Sequence, residues 1–373
     1  MKYLLSFLLI TFVFIGCTTK QEVEIRLPNK NDIGSPIQKS GNLNKLPIED
    51  INPVLEDQII ENDIPFIDNG DAMKVAFIYP SKIVAKYAKS SINTVLGYFD
   101  YKKIKYQVKI FDTLTEDEQS IQTAFINAKE AGFTNVIVLF TPRIIDFVHT
   151  LDTSDLKVYL PLTNKDDLFT HNNNFIYGGI SYKDQVNKLF EYSNTKNAIF
   201  YQSSFLNDKI KTIYESTFSD IKVAKEIKKK RNYYKGIVKD YRIKNSTLFL
   251  NTPIVKSSII LSQLRAYSIY PKVILSTQNN YNPKILTLTQ VKDRTNFVVA
   301  SSIDNVNDEL RDSLDSYGSD IIYNWVDYST LVGVNYLYDE NQSGLINTQI
   351  EDNHVVYKPK LLKTTAYGFL EIK

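Results

Sequence analysis

Cysteine is almost missing from this 373-residue chain, where Cys17 stands alone. An internal disulfide and a thiolate metal cluster are both excluded, and no thiol remains in the body for nucleophilic catalysis. Histidine is nearly as scarce: His149, His171 and His354 lie in different stretches at no metal-ligand spacing. Neither sign of charge dominates, since 44 Lys and Arg face 42 Asp and Glu for a formal net charge of +2. That balance gives no case for nucleic acid or another polyanion as a partner of the whole chain. There is no G-x-S-x-G elbow, phosphate-binding loop or G-x-G-x-x-G turn; the first strong apolar run is followed by Tyr79-Pro80-Ser81-Lys82. The paired acids Asp166-Asp167 and Glu351-Asp352 fall in polar stretches and read as solvated surface. No catalytic set, cofactor or metal site is expected, and the chain reads as a non-enzyme.

What is present starts with a charged Met1-Lys2 and an apolar run from Tyr3 to Ile15. About a dozen residues is the length of a signal-peptide core, well short of the roughly 20 that span a bilayer. The run ends in Phe14-Ile15-Gly16-Cys17, which resembles the lipobox of bacterial lipoproteins, with Ile15 where a small residue is commoner. The resemblance implies a signal peptide over residues 1–16, cleavage before Cys17, and acylation of that cysteine. An ordinary signal peptide followed by a chance cysteine is the alternative. Each buried methylene contributes about 0.8 kcal/mol, so two or more acyl chains hold a protein firmly on its membrane. Thr18 and Thr19 follow, with no Asp of the kind that retains lipoproteins in an inner membrane. The expectation is an envelope protein anchored by lipid to the outer membrane and facing the periplasm.

Residues 17–72 mix Lys, Glu, Asn, Asp, Pro and Gly without a helical or strand period and are expected to be a tether. A flexible chain of that length reaches about 40 Å. The alternative is that Leu46 to Ile67 pack on the body as an extended arm. The body begins at Met73 to Pro80, a compact apolar run suited to a buried parallel strand. Strands then alternate with helices: helix candidates at Tyr87–Phe99 and after Thr115-Glu116-Asp117-Glu118, which fits a capping box, with strands at 106–111, 135–140 and 157–160. The series recurs with strands at 198–201, 223–227, 247–250, 273–275 and 297–300 and helices between them. A helical region follows, carrying Leu310, Leu314, Ile321, Trp325 and Val332 and broken near Gly318; the spacing of Trp325 makes it core. Strands joined by helical crossovers pair in parallel. About 300 residues in two such series exceed one core and predict two lobes.

Three passages carry a further resemblance: Val158 to Thr163 with Asn174 to Ser181 and Asp184-Gln185, then Phe297 to Ile303, then Asp327-Tyr328-Ser329 in the late helix. On these the body resembles the type I periplasmic binding proteins of the leucine/isoleucine/valine-binding class. That implies an α/β fold of two doubly wound parallel-sheet lobes joined by crossing strands. Lobe 1 would take residues 73–178 with about 304–340, and lobe 2 residues 179–303 with about 341–373. A narrower resemblance is to the lipoprotein activators of penicillin-binding proteins, the LpoA family, whose C-terminal domain has this fold and binds a cell-wall synthase. The large helical-repeat domain of that family is not expected here, where only a tether is read ahead of the body. The implied partners are a membrane through the lipid and an envelope protein such as a peptidoglycan synthase, or a small polar ligand of an ABC transporter.

In open α/β sheets ligands bind beyond the carboxyl ends of the strands. Those ends carry Ser81, Thr141, Arg143, Thr163 and Asn164 in the first lobe. In the second they carry Gln202, Ser203, Asn251, Thr252, Ser276 and Thr277. Short hydroxyl and amide side chains suit a small polar solute, and the same residue types also cap helices and form turns. Arg143 would meet a carboxylate, while no acidic residue is placed to take an ammonium group. The basic run Lys225 to Arg231 with Tyr233, Tyr234 and Lys235 reads as a solvated loop, with contact to anionic headgroups or glycan as the alternative.

Overall fold

The structure, a computed structural model, describes residues 59–61 and 72–372 except 194, 195 and 343. Cys17, the signal peptide and most of the expected tether lie outside the described residues. Ile59–Glu61 (β1) departs from a free tether: it pairs antiparallel with Tyr106–Asp112 (β3), Ile59 opposite Lys109 and Glu61 opposite Gln107.

Met73–Tyr79 (β2) is buried from Val75 onward, as its unbroken apolar run requires. Ser81–Lys102 (α1) starts directly after Pro80 and ends at Lys103 in the left-handed conformation, φ 54°. Its Val84, Ala88, Ile92, Val95 and Phe99 form the buried stripe. Glu118–Glu130 (α2) is capped by Asp117, whose side chain accepts from Ser120 N at 2.9 Å, and Gly132 (φ +76°) turns the chain away. The capping box expected from Thr115 therefore does not form: Thr115 donates to Asp117 instead. Asn135–Val138 (β4), the turn Ile145–Val148 (α3), Lys157–Leu160 (β5) and Phe175–Tyr177 (β6) complete the first βα series.

The second series runs Tyr182–Phe190 (α4), Asn197–Tyr201 (β7), Phe205–Thr217 (α5), Ile221–Glu226 (β8), Tyr234–Val238 (α6) and Thr247–Asn251 (β9). It continues through Ile254–Ala266 (α7), Val273–Ser276 (β10), Lys284–Leu288 (α8) and Phe297–Ser301 (β11). Asp308–Ser316 (α9) and Trp325–Tyr338 (α10) follow, separated at Gly318 (φ +80°), with Trp325 half-buried against the core. Four short strands close the chain: Gln349–Glu351 (β12), His354–Val356 (β13), Lys360–Thr364 (β14) and Phe369–Glu371 (β15).

The first sheet has the order β1-β3-β2-β4-β5-β6-β13-β12 and the second β15-β14-β11-β10-β9-β7-β8. Strands β2 to β6 and β7 to β11 are parallel, and each set repeats one doubly wound order with its switch point between the first and third strands. The final passage into the second lobe comes later than the expected position near 341. Strand β13 still pairs with β6, His354 opposite Tyr177, and only β14 joins β11.

The lobes are thus linked by three crossings: β6 to α4, β11 to α9, and β13 to β14. At their meeting point Tyr159 OH donates to Ser329 O (2.6 Å), Ser329 Oγ donates to Gly178 O (2.8 Å), and Tyr357 OH donates to the same carbonyl (2.6 Å). One apolar cluster runs from α1, α9 and α10 to α4 and α5, so the lobes share a continuous core beneath the crossings. Each sheet has a second cluster on its opposite face.

Candidate ligand cleft

The sheet topology brings the carboxyl ends of β2 and β4 together in one lobe and those of β7 and β9 together in the other. Ser81, Thr141 and Arg143 follow β2 and β4, and Gln202, Ser203, Asn251 and Thr252 lie at the ends of β7 and β9, while Thr163 and Asn164 follow β5 and Ser276 and Thr277 end β10. Most of them are engaged by the protein itself. Ser81 opens α1, its amide donating to Asp112 Oδ1 at 3.0 Å. Thr141 Oγ1 donates to Glu116 at 2.7 Å, and the Thr141 amide donates to the same carboxylate at 2.5 Å. Asn164 Nδ2 donates to Gly179 O (2.9 Å) while its Oδ1 accepts from Asp166 N (2.9 Å).

The second lobe is held the same way. Gln202 accepts from Lys256 through Oε1 and from Asn207 through its carbonyl, and Ser203 donates to Asp208 (2.8 Å). Asn251 Nδ2 donates to Asn207 O (2.7 Å), and Thr252 shares its hydroxyl with Ser257 (2.7 Å). Ser276 donates to Leu250 O (2.7 Å) and accepts from Asn280 (2.8 Å); Thr277 is buried beside it. A further polar network was not foreseen: Gln185 Nε2 donates to Gln278 Oε1 (3.1 Å) and Ser302 Oγ (2.9 Å), and its own Oε1 accepts from Gln278 N (3.0 Å).

Four buried polar atoms at the strand ends have no hydrogen-bond partner: Thr163 Oγ1 in the first lobe, and Asn251 Oδ1, Gln278 Nε2 and Asn280 Oδ1 in the second. Each such atom costs about 1–3 kcal/mol of desolvation.

Across the gap the lobes touch through their own side chains. Arg143 lies over the ring of Phe205, 4.6 Å from its centroid, where the sequence had suggested a carboxylate partner. Asp167 and Lys209 form an ion pair. Elsewhere on the interface Tyr323, from the segment before α10, meets Tyr281 of the second lobe with ring centroids 5.0 Å apart, and Tyr281 packs on Phe369 at 4.8 Å. Asp167 sits on a loop fixed by two histidines that the sequence left apart. His149 bonds Tyr177 OH (2.9 Å) and Thr170 (3.1 Å), and His171 bonds the Lys165 carbonyl (3.0 Å). Burial pushes the His149 pKa down, favouring the neutral ring.

No family model matches the chain, and no curated protein matches it in sequence. Solved structures do match in shape. A putative branched-chain amino acid ABC transporter protein from Rhodospirillum rubrum aligns with a TM-score of 0.62 at 12% identity, over 81% of this chain and 100% of that one. LivJ of Streptococcus pneumoniae, a branched-chain amino acid substrate-binding protein solved with isoleucine, gives 0.57 at 10% identity over 81% and 100%. The C-domain of LpoA from Haemophilus influenzae, described as a regulator of PBP1A, gives 0.55 at 11% identity over 80% and 100%. The fold is that of the type I periplasmic binding proteins. Within it, solute-binding proteins and a regulator of PBP1A share one architecture, and identities this low carry the fold alone.

Proposed function

We propose that this chain is a non-catalytic binding module of the cell envelope that engages a protein partner. On this proposal it is a lipoprotein anchored through Cys17, on the outer membrane and facing the periplasm, and a peptidoglycan synthase is the kind of partner it serves. One observation carries the choice: strand-end side chains that would hold a solute hold one another, and Arg143–Phe205 and Asp167–Lys209 join the lobes across the gap. Neither bridge is strong, since an exposed cation–π contact contributes about 0.5–1 kcal/mol and a partly exposed ion pair about as much. The shared core beneath them adds to the closed arrangement.

A second reading is a substrate-binding lipoprotein of an ABC transporter, taking an amino acid or another small polar solute. The unpartnered Asn251 Oδ1, Gln278 Nε2 and Asn280 Oδ1 favour it, because a solute admitted by lobe opening would satisfy them. Thermal unfolding against a library of amino acids and other polar metabolites separates the two. A ligand at a hundred times its Kd adds about 2.7 kcal/mol. The interaction reading expects no shift from any compound; a clear rise in Tm with one solute class would replace it with the transport reading.

A further inference from the structure

The near-zero net charge of the whole chain hides a local excess. Between Glu226 and Asp240 the sequence holds no acid, yet Lys228, Lys229, Lys230, Arg231 and Lys235 all lie there and all are exposed. Asp240, the next carboxylate, is already engaged by Lys225 (3.1 Å) and Arg242 (2.8 Å). Among the described residues no carboxylate pairs with any of the five cations.

The turn that carries them is built rather than loose. Asn232 folds its side-chain amide back onto the start of the turn: Oδ1 accepts from Lys228 N (2.9 Å), and Nδ2 donates to Lys228 O (2.9 Å) and Lys230 O (3.3 Å). Lys256 reaches from α7 to the same Lys228 carbonyl, and burial without a carboxylate lowers its pKa. The Tyr233 ring is 71% exposed and lies against Gly236, where an added Cβ would come 2.7 Å from Tyr233 Cδ1. The result is an exposed cationic tip on the turn between β8 and α6, with the exposed Tyr233 ring beside it.

We infer that this tip is a docking surface for an anionic phospholipid bilayer. Its chemistry is unlike that of a protein interface, where lysine is depleted and an apolar centre is usual. A row of lysines and arginine beside an amphipathic tyrosine is what a charged headgroup layer attracts. Each cation near such a surface shifts the balance by about fivefold.

The test places the full chain on vesicles of phosphatidylcholine alone and of phosphatidylcholine mixed with phosphatidylglycerol, and follows trypsin cleavage at Lys228 to Arg231. The apolar N-terminal run enters either vesicle, so the readout is protection of the tip rather than binding of the chain. Cleavage at the tip should slow about tenfold or more on the anionic vesicles only, and the protection should vanish at molar salt, where screening is nearly complete within about 3 Å. Lys229→Gln with Lys230→Gln, which leaves Lys228 and Arg231 cleavable and touches no core residue, should lose most of it. Equal cleavage on both vesicles overturns the inference, as does protection by a protein partner with none from anionic lipid.

Discussion

Asp327 shows how one side chain ties a resemblance to a measurable property. The residue is fully buried between α10 and α1. Its Oδ2 accepts from Ser90 Oγ (2.6 Å) and Asp320 N (2.8 Å), while Oδ1 has no partner. Burial outweighs those two bonds and pushes the carboxyl pKa up to about 7. The folded state therefore holds this proton more tightly than the unfolded chain, whose Asp titrates near 3.9. The stabilisation is complete below about pH 4 and is lost as pH rises to about 7, amounting to a few kcal/mol. Asp327→Asn removes that slope. Urea unfolding at a series of pH values should show the variant gaining on the natural protein from pH 4 to 7, and a constant difference would refute the assignment.

At the level of elements, α10 is the wedge of the molecule. Its Gly333 faces Tyr159 of β5, where an added Cβ would lie 2.2 Å from Cε1, and a Cβ added to Gly178 would lie 2.2 Å from the hydroxyl of the same tyrosine. Alanine in a helix interior is ordinarily worth up to about 1 kcal/mol over glycine. Overpacking in a core costs about 1–3 kcal/mol. Gly333→Ala should therefore destabilise the protein, and a higher urea midpoint would contradict the packing. The sequence made the long apolar strands and the striped helices α1, α2 and α5 legible because their periods are local. Strands β12 to β15 escaped because three to five half-exposed residues carry no period, and their pairing with β6 and β11 depends on distant chain. The candidate cleft was legible in position but not in bonding. Asn251 meets a carbonyl 44 residues away and Gln185 a side chain 93 residues away, so local spacing gives no sign of either. The basic turn was visible as composition; its Asn232 clamp was not.

For the whole molecule, two sheets of one winding order share a core beneath three crossings and touch again above it. The contacts above, Arg143 on Phe205 and Asp167 with Lys209, are few and weak, while the core below is extensive. The proposed protein-binding role requires lobes that stay closed whether or not a solute is offered. The direct measurement is the distance between spin labels at Glu118 and Val255, exposed positions at the cleft-side ends of α2 and α7, with Cys17 replaced by Ser. A single narrow distribution, unmoved by polar metabolites, is the predicted result. A second, longer population that shortens when a solute is added would contradict it.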